Sequence, residues 1–246
     1  MSCQPQWTKL VYKWLFNNQT CLLCDEATDT PQPICPPCEL ELPWLGDCCQ
    51  RCALPLPMSG LMCGHCLKKP PAFQTVHAPW VYGFAVDSLI IRFKHNSKWP
   101  YGRLLADLLS QSLLDRFNHG EKRPDLLLPV PLSVQRLRQR GYNQAAMLGQ
   151  WLQQYLHIPC NDQWLRRDID TPAQQALDAK TRKRNLLHAF SLSPRAQVTG
   201  LHIALVDDVL TTGATAQSLA RLLLNAGAQR VDVYCLARTP KPDGPP

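Results

Sequence analysis

Residues 201–215 read LHIALVDDVLTTGAT, and this stretch decides the fold. The apolar run from Ile203 to Val206 follows Gly200 and is typical of a strand buried on both faces, as in a parallel sheet. Two adjacent acids, Asp207 and Asp208, come next, and a short polar loop follows them. A helix is predicted after the loop because apolar residues recur at helical spacing, at Ala216, Leu219, Ala220 and Leu223.

The order of strand, loop and helix start predicts a phosphate-binding site. The first N–H groups of a helix lack partners within the helix, and the positive end of the helix dipole attracts anions. Gly213 lets the backbone approach a ligand closely, and the threonine hydroxyls of the loop add donors. The two carboxylates suit the vicinal hydroxyls of a ribose, so a phosphorylated sugar satisfies both halves of the site. No GxxxxGK[ST] motif is present, which excludes a P-loop.

The charge of the chain is unevenly distributed over its 246 residues. Residues 1–70 carry five Lys/Arg and six Asp/Glu, a net of −1, whereas residues 71–246 carry 21 and 13, a net of +8. We therefore expect a polyanionic partner at the C-terminal part. The sequence contains no apolar run long enough for a transmembrane helix and no signal-peptide pattern, so we expect no membrane span and a cytoplasmic location.

Eight cysteines form an internal repeat. Each repeat has the spacing C-x2-C-x10-C-x2-C, and the second set lies 28 residues after the first, the members being Cys21, Cys24, Cys35, Cys38, Cys49, Cys52, Cys63 and Cys66. Two CxxC knuckles can complete a tetrahedral four-thiolate site, which is the geometry of structural zinc. The segment is rich in proline and poor in apolar residues, so metal binding must supply much of its folding free energy.

Two alternatives to this interpretation are open. A disulfide framework is disfavoured by the repeat and by the expected reducing compartment. The zinc ions can be bound within each repeat or by a cross-braced arrangement of the first knuckle with the third. We prefer pairing within each repeat because each repeat is then a self-contained unit.

The rest of the chain alternates strands with helices, which predicts an α/β domain with a parallel sheet and a ligand at the strand C-termini. The predicted organisation is an N-terminal helix and double zinc ribbon over 1–70, the α/β domain over 71–239 and a loose tail over 240–246. The predicted elements are an amphipathic helix at 7–16, strands at 80–86, 125–132, 164–165 and 231–237, and helices at 87–95, 103–117 and from Asn143.

Three basic clusters lie in the α/β domain. Arg136, Arg138 and Arg140 follow the Val130-Pro131 turn after a predicted strand, and Arg166-Arg167 ends another. A third cluster contains Lys180, Arg182, Lys183 and Arg184. Each cluster alone is equally consistent with a solvated surface, but arginine forks suit a diphosphate, which needs several cationic donors.

The thirteen residues IALVDDVLTTGAT resemble the signature with which type I phosphoribosyltransferases bind 5-phosphoribosyl-1-pyrophosphate (PRPP). The run VPLSVQRLRQRGYNQ and the later Gln174, Leu177, Arg182, Asn185 and Phe190 resemble motifs of the ComF family. That family joins a zinc ribbon to a type I phosphoribosyltransferase domain, and this chain is similar to its double-ribbon members. The resemblance implies a type I phosphoribosyltransferase-like parallel sheet.

The resemblance also implies residue roles. Asp207 and Asp208 would bind the ribose hydroxyls, and the 5-phosphate would lie on Thr211, Thr212, Gly213, Ala214 and Thr215. Val130, Pro131 and the segment 136–144 fall at the pyrophosphate loop and its flank. Gln174, Arg182 and Asn185 fall in a region that covers the sugar in related enzymes. With Mg²⁺ bridging phosphate and ribose oxygens, the catalytic candidates are Asp207, Asp208, Arg140 and Arg182, the two arginines facing the departing diphosphate.

The ComF family is associated with natural transformation. We therefore expect a PRPP-binding protein that handles incoming single-stranded DNA with DNA-uptake or recombination proteins. Aromatic residues such as Trp80, Trp99 and Tyr101 could stack its bases, but core positions are the alternative that we favour for them. Two alternatives remain: a metabolic phosphoribosyltransferase with an unidentified acceptor, and a non-catalytic PRPP sensor. All three require that Asp207 and Asp208 face an open cleft and are not buried in ion pairs.

Overall fold

The computed structural model describes residues 19–94, 98–168 and 189–241. It divides into two compact units, residues 1–42 and 43–246. In the first unit, β1 (Gln19–Thr20) pairs antiparallel with β2 (Ala27–Thr28), and a short helix α1 (Pro36–Leu40) follows. The predicted helix at 7–16 and most of the predicted tail lie outside the described residues.

The second unit contains the second cysteine repeat and the α/β domain. Its strands are β3 (Val76–His77), β4 (Trp80–Val81), β5 (Leu126–Pro129), β6 (Leu165–Arg167), β7 (Phe190–Leu192), β8 (His202–Leu210) and β9 (Arg230–Arg238). Its helices are α2 (Gly64–Lys68), α3 (Val86–Lys94), α4 (Trp99–Asn118), α5 (Val134–Arg140), α6 (Gln144–Leu156) and α7 (Ala214–Asn225). No helix in the described part of the chain has the length and apolar character needed to cross a membrane.

The five-stranded sheet is parallel throughout, which confirms the predicted fold class. Strand β8 lies between β5 and β9, while β3 and β4 both pair with the far side of β9. His202 to Val206 are all buried, as expected for a strand covered on both faces. The strand does not end at Val206, because pairing with β9 continues as far as Leu210 opposite Arg238. Asp207 and Asp208 therefore lie within β8, near its carboxyl end.

Three short strands differ from the sequence prediction. The strand predicted at 80–86 is only two residues long, because the chain turns at Gly83 and α3 begins at Val86. Strand β3 was missed, since two residues show no periodicity. The predicted strand at 164–165 is β6, and it pairs antiparallel with β7, which was also missed. The segment that contains Gln174, Arg182 and Asn185 connects these two strands and lies outside the described residues.

The first basic cluster forms a helix that the sequence analysis left unassigned. In α5, the Ser133 hydroxyl accepts the backbone N–H of Arg136, and Gly141 ends the helix with φ 81°. No residue of α5 is buried. Arg136 and Arg138 are exposed, whereas Arg140 is half-buried, and none of the three forms an ion pair with a described residue.

The second cysteine repeat packs on the sheet and not in a unit with the first repeat. The Leu45 N–H donates to the Pro79 carbonyl (2.7 Å), and the Trp44 and Trp80 rings are 5.5 Å apart. Ala53 is buried in the main core cluster with Phe73. The boundary predicted at residue 70 stays a prediction, but the described contacts join residues 43–70 to the larger domain. Trp80 is fully buried, so it is a core residue and is not available to stack bases.

Candidate functional site

The acidic pair lies near the carboxyl end of β8, and its two side chains have different environments. Adjacent residues of a strand point to opposite faces. Asp208 is 6% exposed, and its Oδ2 lies 2.9 Å from the Lys94 Nζ and accepts a 2.9 Å hydrogen bond from the Gln144 amide. Asp207 is half-buried and forms no ion pair with any described residue. Only Asp207 is directly available to a ligand.

The expectation that both carboxylates face an open cleft is therefore wrong for Asp208. Lys94, at the end of α3, neutralises the Asp208 carboxylate, and the side-chain amide of Gln144, at the start of α6, donates a hydrogen bond to it. Burial of an unpaired carboxylate is costly, so a carboxylate in this position needs such partners when no ligand is present. A ligand that binds to Asp208 has to displace Lys94 or share the Asp208 carboxylate with Lys94.

The electrostatics of Asp207 are unusual for a carboxyl group. Burial and, to a smaller extent, the neighbouring Asp208 carboxylate together raise the pKa of Asp207 to about 7, although the Asp208 backbone N–H and the Lys94 cation oppose the shift. A carboxylate with few donors of its own is stabilised when hydroxyl groups or a cation approach it. The raised pKa is thus consistent with a group awaiting a ligand.

The loop after β8 has the backbone geometry of an anion site. Gly213 is the N-cap of α7 with φ 75°, a left-handed conformation that disfavours other residues. The helix begins at Ala214, so the predicted loop is shorter than expected, and Ala214 and Thr215 belong to the first helical turn. Backbone N–H groups in that turn have no partners within the helix. The loop is therefore Thr211 to Gly213, and the helix start supplies the remaining donors.

Other predicted residues lie at the same edge of the sheet. Val130 continues β5 by donating its N–H to the Val206 carbonyl (2.9 Å), which places the Val130-Pro131 turn beside the acidic end of β8. Arg140 donates to the Gln144 Oε1, and Gln144 in turn donates to Asp208. Arg140 is thus connected to the acidic pair through one amide. Arg182 lies outside the described residues.

Lys94 was not predicted as a site residue, and Gln144 was predicted only at the flank of the pyrophosphate loop, not as a partner of Asp208. Gln144 was within the run that resembles the ComF motifs, at the start of the helix predicted from Asn143, and this position was its only signal. Lys94 lies within the helix predicted at 87–95. Nothing in the sequence around Lys94 indicates its carboxylate partner, because the packing of α3 against the sheet determines that contact.

The cysteines form two four-sulfur clusters within the described residues. In each cluster the four sulfur atoms lie within 4.8 Å of one another, and the clusters are Cys21, Cys24, Cys35, Cys38 and Cys49, Cys52, Cys63, Cys66. This grouping is the preferred pairing within each repeat and not the cross-braced one. All eight cysteines are free thiols, which removes the disulfide alternative for this structure.

The donor chemistry of both clusters fits a structural zinc ion. Burial opposes ionisation of Cys21, but backbone N–H groups of Cys24, Cys35 and Leu23 outweigh it and lower the pKa of Cys21 to about 6. In the second cluster, N–H groups of Cys63, Cys52 and Arg51 likewise outweigh burial and lower the pKa of Cys49 to about 7. N–H donors that stabilise a thiolate are expected around a metal-binding sulfur.

Comparison with known domain families agrees with this architecture. The double zinc ribbon domain matches residues 11–67, and the phosphoribosyl transferase domain matches residues 144–246. Among solved structures, glutamine PRPP amidotransferase from B. subtilis matches with a TM-score of 0.36 and 21% identity, covering 55% of this chain and 25% of that chain. A likeness at this level carries no further conclusion.

Curated relatives match over most of the chain. DNA utilization protein YhgH of Escherichia coli K12 is 37% identical over 225 residues, covering 89% of this chain and 90% of the relative. Competence protein F of Haemophilus influenzae is 37% identical over 174 residues, covering 70% of this chain and 76% of the relative. With a double zinc ribbon, a phosphoribosyltransferase domain and relatives of this similarity, the chain belongs to the ComF family.

Proposed function

We propose that this protein binds PRPP with Mg²⁺ at the carboxyl end of β8, and that it acts in the cytoplasm in handling single-stranded DNA during DNA uptake. The observation that carries the first half is the juxtaposition of Asp207 with the Gly213 helix start. A partly exposed carboxylate and N–H groups that have no partner within the helix occupy the end of one strand and the beginning of the next helix. Ribose hydroxyls and a terminal phosphate need these two kinds of group.

The diphosphate of PRPP would lie toward the Val130-Pro131 turn, and Arg140 would be the arginine that binds it. Carboxylate and phosphate oxygens are the ligands that Mg²⁺ prefers, so Asp207 and the diphosphate would supply them together. When bound, Mg²⁺ would offset the negative charge of the diphosphate. A transfer reaction further requires an acceptor whose lone pair attacks the ribose C1 as the bond to the diphosphate oxygen breaks. The site as described supports binding more directly than transfer.

Titration with PRPP and Mg²⁺ tests the binding half of this proposal. The double variant Asp207→Asn/Asp208→Asn removes two charged acceptors, worth about 3 kcal/mol together, so we expect Kd to rise about a hundredfold. Isothermal titration calorimetry measures this change. The matched control is Asp115→Asn, an exposed acid on α4 whose loss should leave Kd within twofold. Equal affinity of the double variant and the wild type would refute the site.

The DNA half rests on the names of the relatives and on charge. Relatives are described as DNA utilization and competence proteins. Residues 71–246 carry a net charge of +8, and α5 presents Arg136 and Arg138 to solvent without ion pairs to described residues. Exposed cations at this density suit a polyanion. Trp99, which is 53% exposed, is available to stack a base.

A salt series with a labelled single-stranded oligonucleotide tests the DNA half. Each phosphate contact contributes about 0.7 to the slope of log K against log salt for a single strand. We expect Arg136→Gln/Arg138→Gln to reduce this slope by about 1.4. The control is Lys122→Gln/Arg123→Gln, which removes the same charge from the segment that precedes the amino end of β5. A slope near zero for the wild-type protein would exclude the DNA half and leave the PRPP half standing.

A further inference from the structure

Arg238 is a buried arginine at the last position of β9. It is 7% exposed, and no described carboxylate lies within ion-pair distance of it. Backbone carbonyls accept hydrogen bonds from its guanidinium instead. Its Nη1 donates to the carbonyls of Leu210 (3.0 Å), Thr211 (2.6 Å) and Thr239 (2.6 Å). Burying a guanidinium without a counter-ion is costly, so this arrangement has to be held in place by several hydrogen bonds at once.

The fourth acceptor of Arg238 lies in the second cysteine cluster. The Arg238 Nε donates to the carbonyl of Cys52 at 2.9 Å, and these residues are 186 positions apart in the chain. Cys52 is one of the four sulfur donors of that cluster. One guanidinium therefore connects a metal-binding knuckle to Thr211, the first residue of the phosphate loop.

A second set of contacts joins the same two regions. The chain that leaves the second ribbon passes behind the loop, where the Ala72 N–H donates to the Gln217 Oε1 on α7 (2.7 Å). A Cβ atom added to Gly213 would lie 3.8 Å from the Phe73 ring. Phe73 and Ala53 belong to one buried cluster with Leu210 and Ala216, which flank the loop. The ribbon thus forms part of the wall that supports the helix start.

We propose that Arg238 is a positioning residue through which metal occupancy of the second ribbon controls the affinity of the phosphate loop for a sugar phosphate. The inference rests on the proposed function of that loop. Without a bound metal, the knuckle at residues 49–52 loses the constraint that holds the Cys52 carbonyl in place. Arg238 then lacks one acceptor, so its guanidinium is less well fixed and its hydrogen bond to the Thr211 carbonyl weakens. The coupling is reciprocal, so a bound sugar phosphate should also retain the metal.

Zinc release from single-site variants of the full chain tests this coupling. Cys24→Ser retains only the second metal site, and Cys52→Ser retains only the first. Release to a colorimetric chelator is followed with and without saturating ribose 5-phosphate. We expect the ligand to slow release about tenfold in Cys24→Ser and to leave release in Cys52→Ser unchanged. Equal effects in both variants, or no effect in Cys24→Ser although the ligand binds, would overturn the inference.

Arg238→Lys provides the second arm, because a lysine keeps the charge but cannot reach carbonyls on two sides. We expect ribose 5-phosphate to bind about tenfold more weakly, with two zinc ions still bound per chain. Arg123→Lys is the matched control, since Arg123 also donates to a backbone carbonyl, that of Leu156. An unchanged affinity in folded Arg238→Lys would overturn the inference.

These measurements separate the inference from the proposed function. If wild-type protein binds no sugar phosphate, the proposed function of the loop fails. The contact between Arg238 and the second ribbon can then still be tested without a ligand, by measuring the rate of zinc release from the double variant Arg238→Lys/Cys24→Ser. Faster release than in Cys24→Ser alone would support the contact, and an equal rate would refute it.

Discussion

The two ends of the central sheet both carry buried acids, but their surroundings are opposite. At the amino end, Asp232 on β9 is 3% exposed and accepts hydrogen bonds from the His202 ring (2.7 Å), the Arg230 guanidinium and the Thr75 N–H. At the carboxyl end, Asp207 lacks an ion pair within the described structure, and Asp208 has Lys94 and Gln144.

The pKa shifts of the two ends differ in sign. Burial opposes ionisation of Asp232, but the hydrogen bonds from His202 and Arg230 outweigh it and lower the pKa of Asp232. Burial dominates at Asp207 and raises its pKa to about 7. A satisfied acid contributes to stability, whereas an unsatisfied one reduces it and is retained where a ligand can complete its interactions. The comparison thus separates the structural end of the sheet from the functional end.

Removing the charge of Asp232 should have the largest effect on stability. Asp232→Asn removes the negative charge that pairs with Arg230 and replaces one acceptor oxygen with an NH2 donor, so we expect the free energy of unfolding to fall by about 3 kcal/mol at pH 7. Urea denaturation measures the loss. Because the pKa of Asp232 is lowered, the contribution exists above the pKa of the unfolded chain and is lost as pH falls through the folded value. A loss that persists undiminished below that range would contradict this account.

Two glycines make a matched test of intermediate size. Gly200, before β8, and Gly213, after it, have nearly the same φ, 76° and 75°, and neither Cβ would clash. Alanine at either position should cost about 1 kcal/mol, since the left-handed conformation disfavours it. Only Gly213→Ala should also weaken sugar-phosphate binding, as measured by calorimetry. Equal binding losses in the two variants would show that the two ends do not differ in function.

The smallest expected effect is a stabilisation. A carboxyl group whose folded pKa exceeds its unfolded pKa makes folding less favourable as pH rises between the two values. We therefore expect Asp207→Asn to melt at a higher temperature than the wild type at pH 8, with the difference shrinking toward pH 5. Thermal denaturation across this range tests it, with Asp115→Asn as the exposed control. A variant that is less stable than wild type at pH 8 would mean that Asp207 is already satisfied.

The sequence by itself determined the features whose residues are close together in the chain. The CxxC knuckles, the buried strand before Asp207 and the helix after the phosphate loop each depend on neighbouring residues, so spacing alone predicted them. The parallel sheet also followed, because strands that alternate with helices pair in that way. Helix boundaries were less accurate. Helices α4 and α7 begin at Trp99 and Ala214, earlier than predicted, because the first turn of a helix need not continue the apolar periodicity from which the helix was predicted.

Only the tertiary structure decided which distant groups meet. It places Lys94 on Asp208, connects Arg140 to the acidic pair through Gln144, and joins Cys52 to the phosphate loop through Arg238. These contacts span long stretches of chain and arise when helices and a ribbon pack against one sheet. No local pattern specifies such a contact, because the packing of whole elements, and not the periodicity of any one of them, sets the distance between the two side chains.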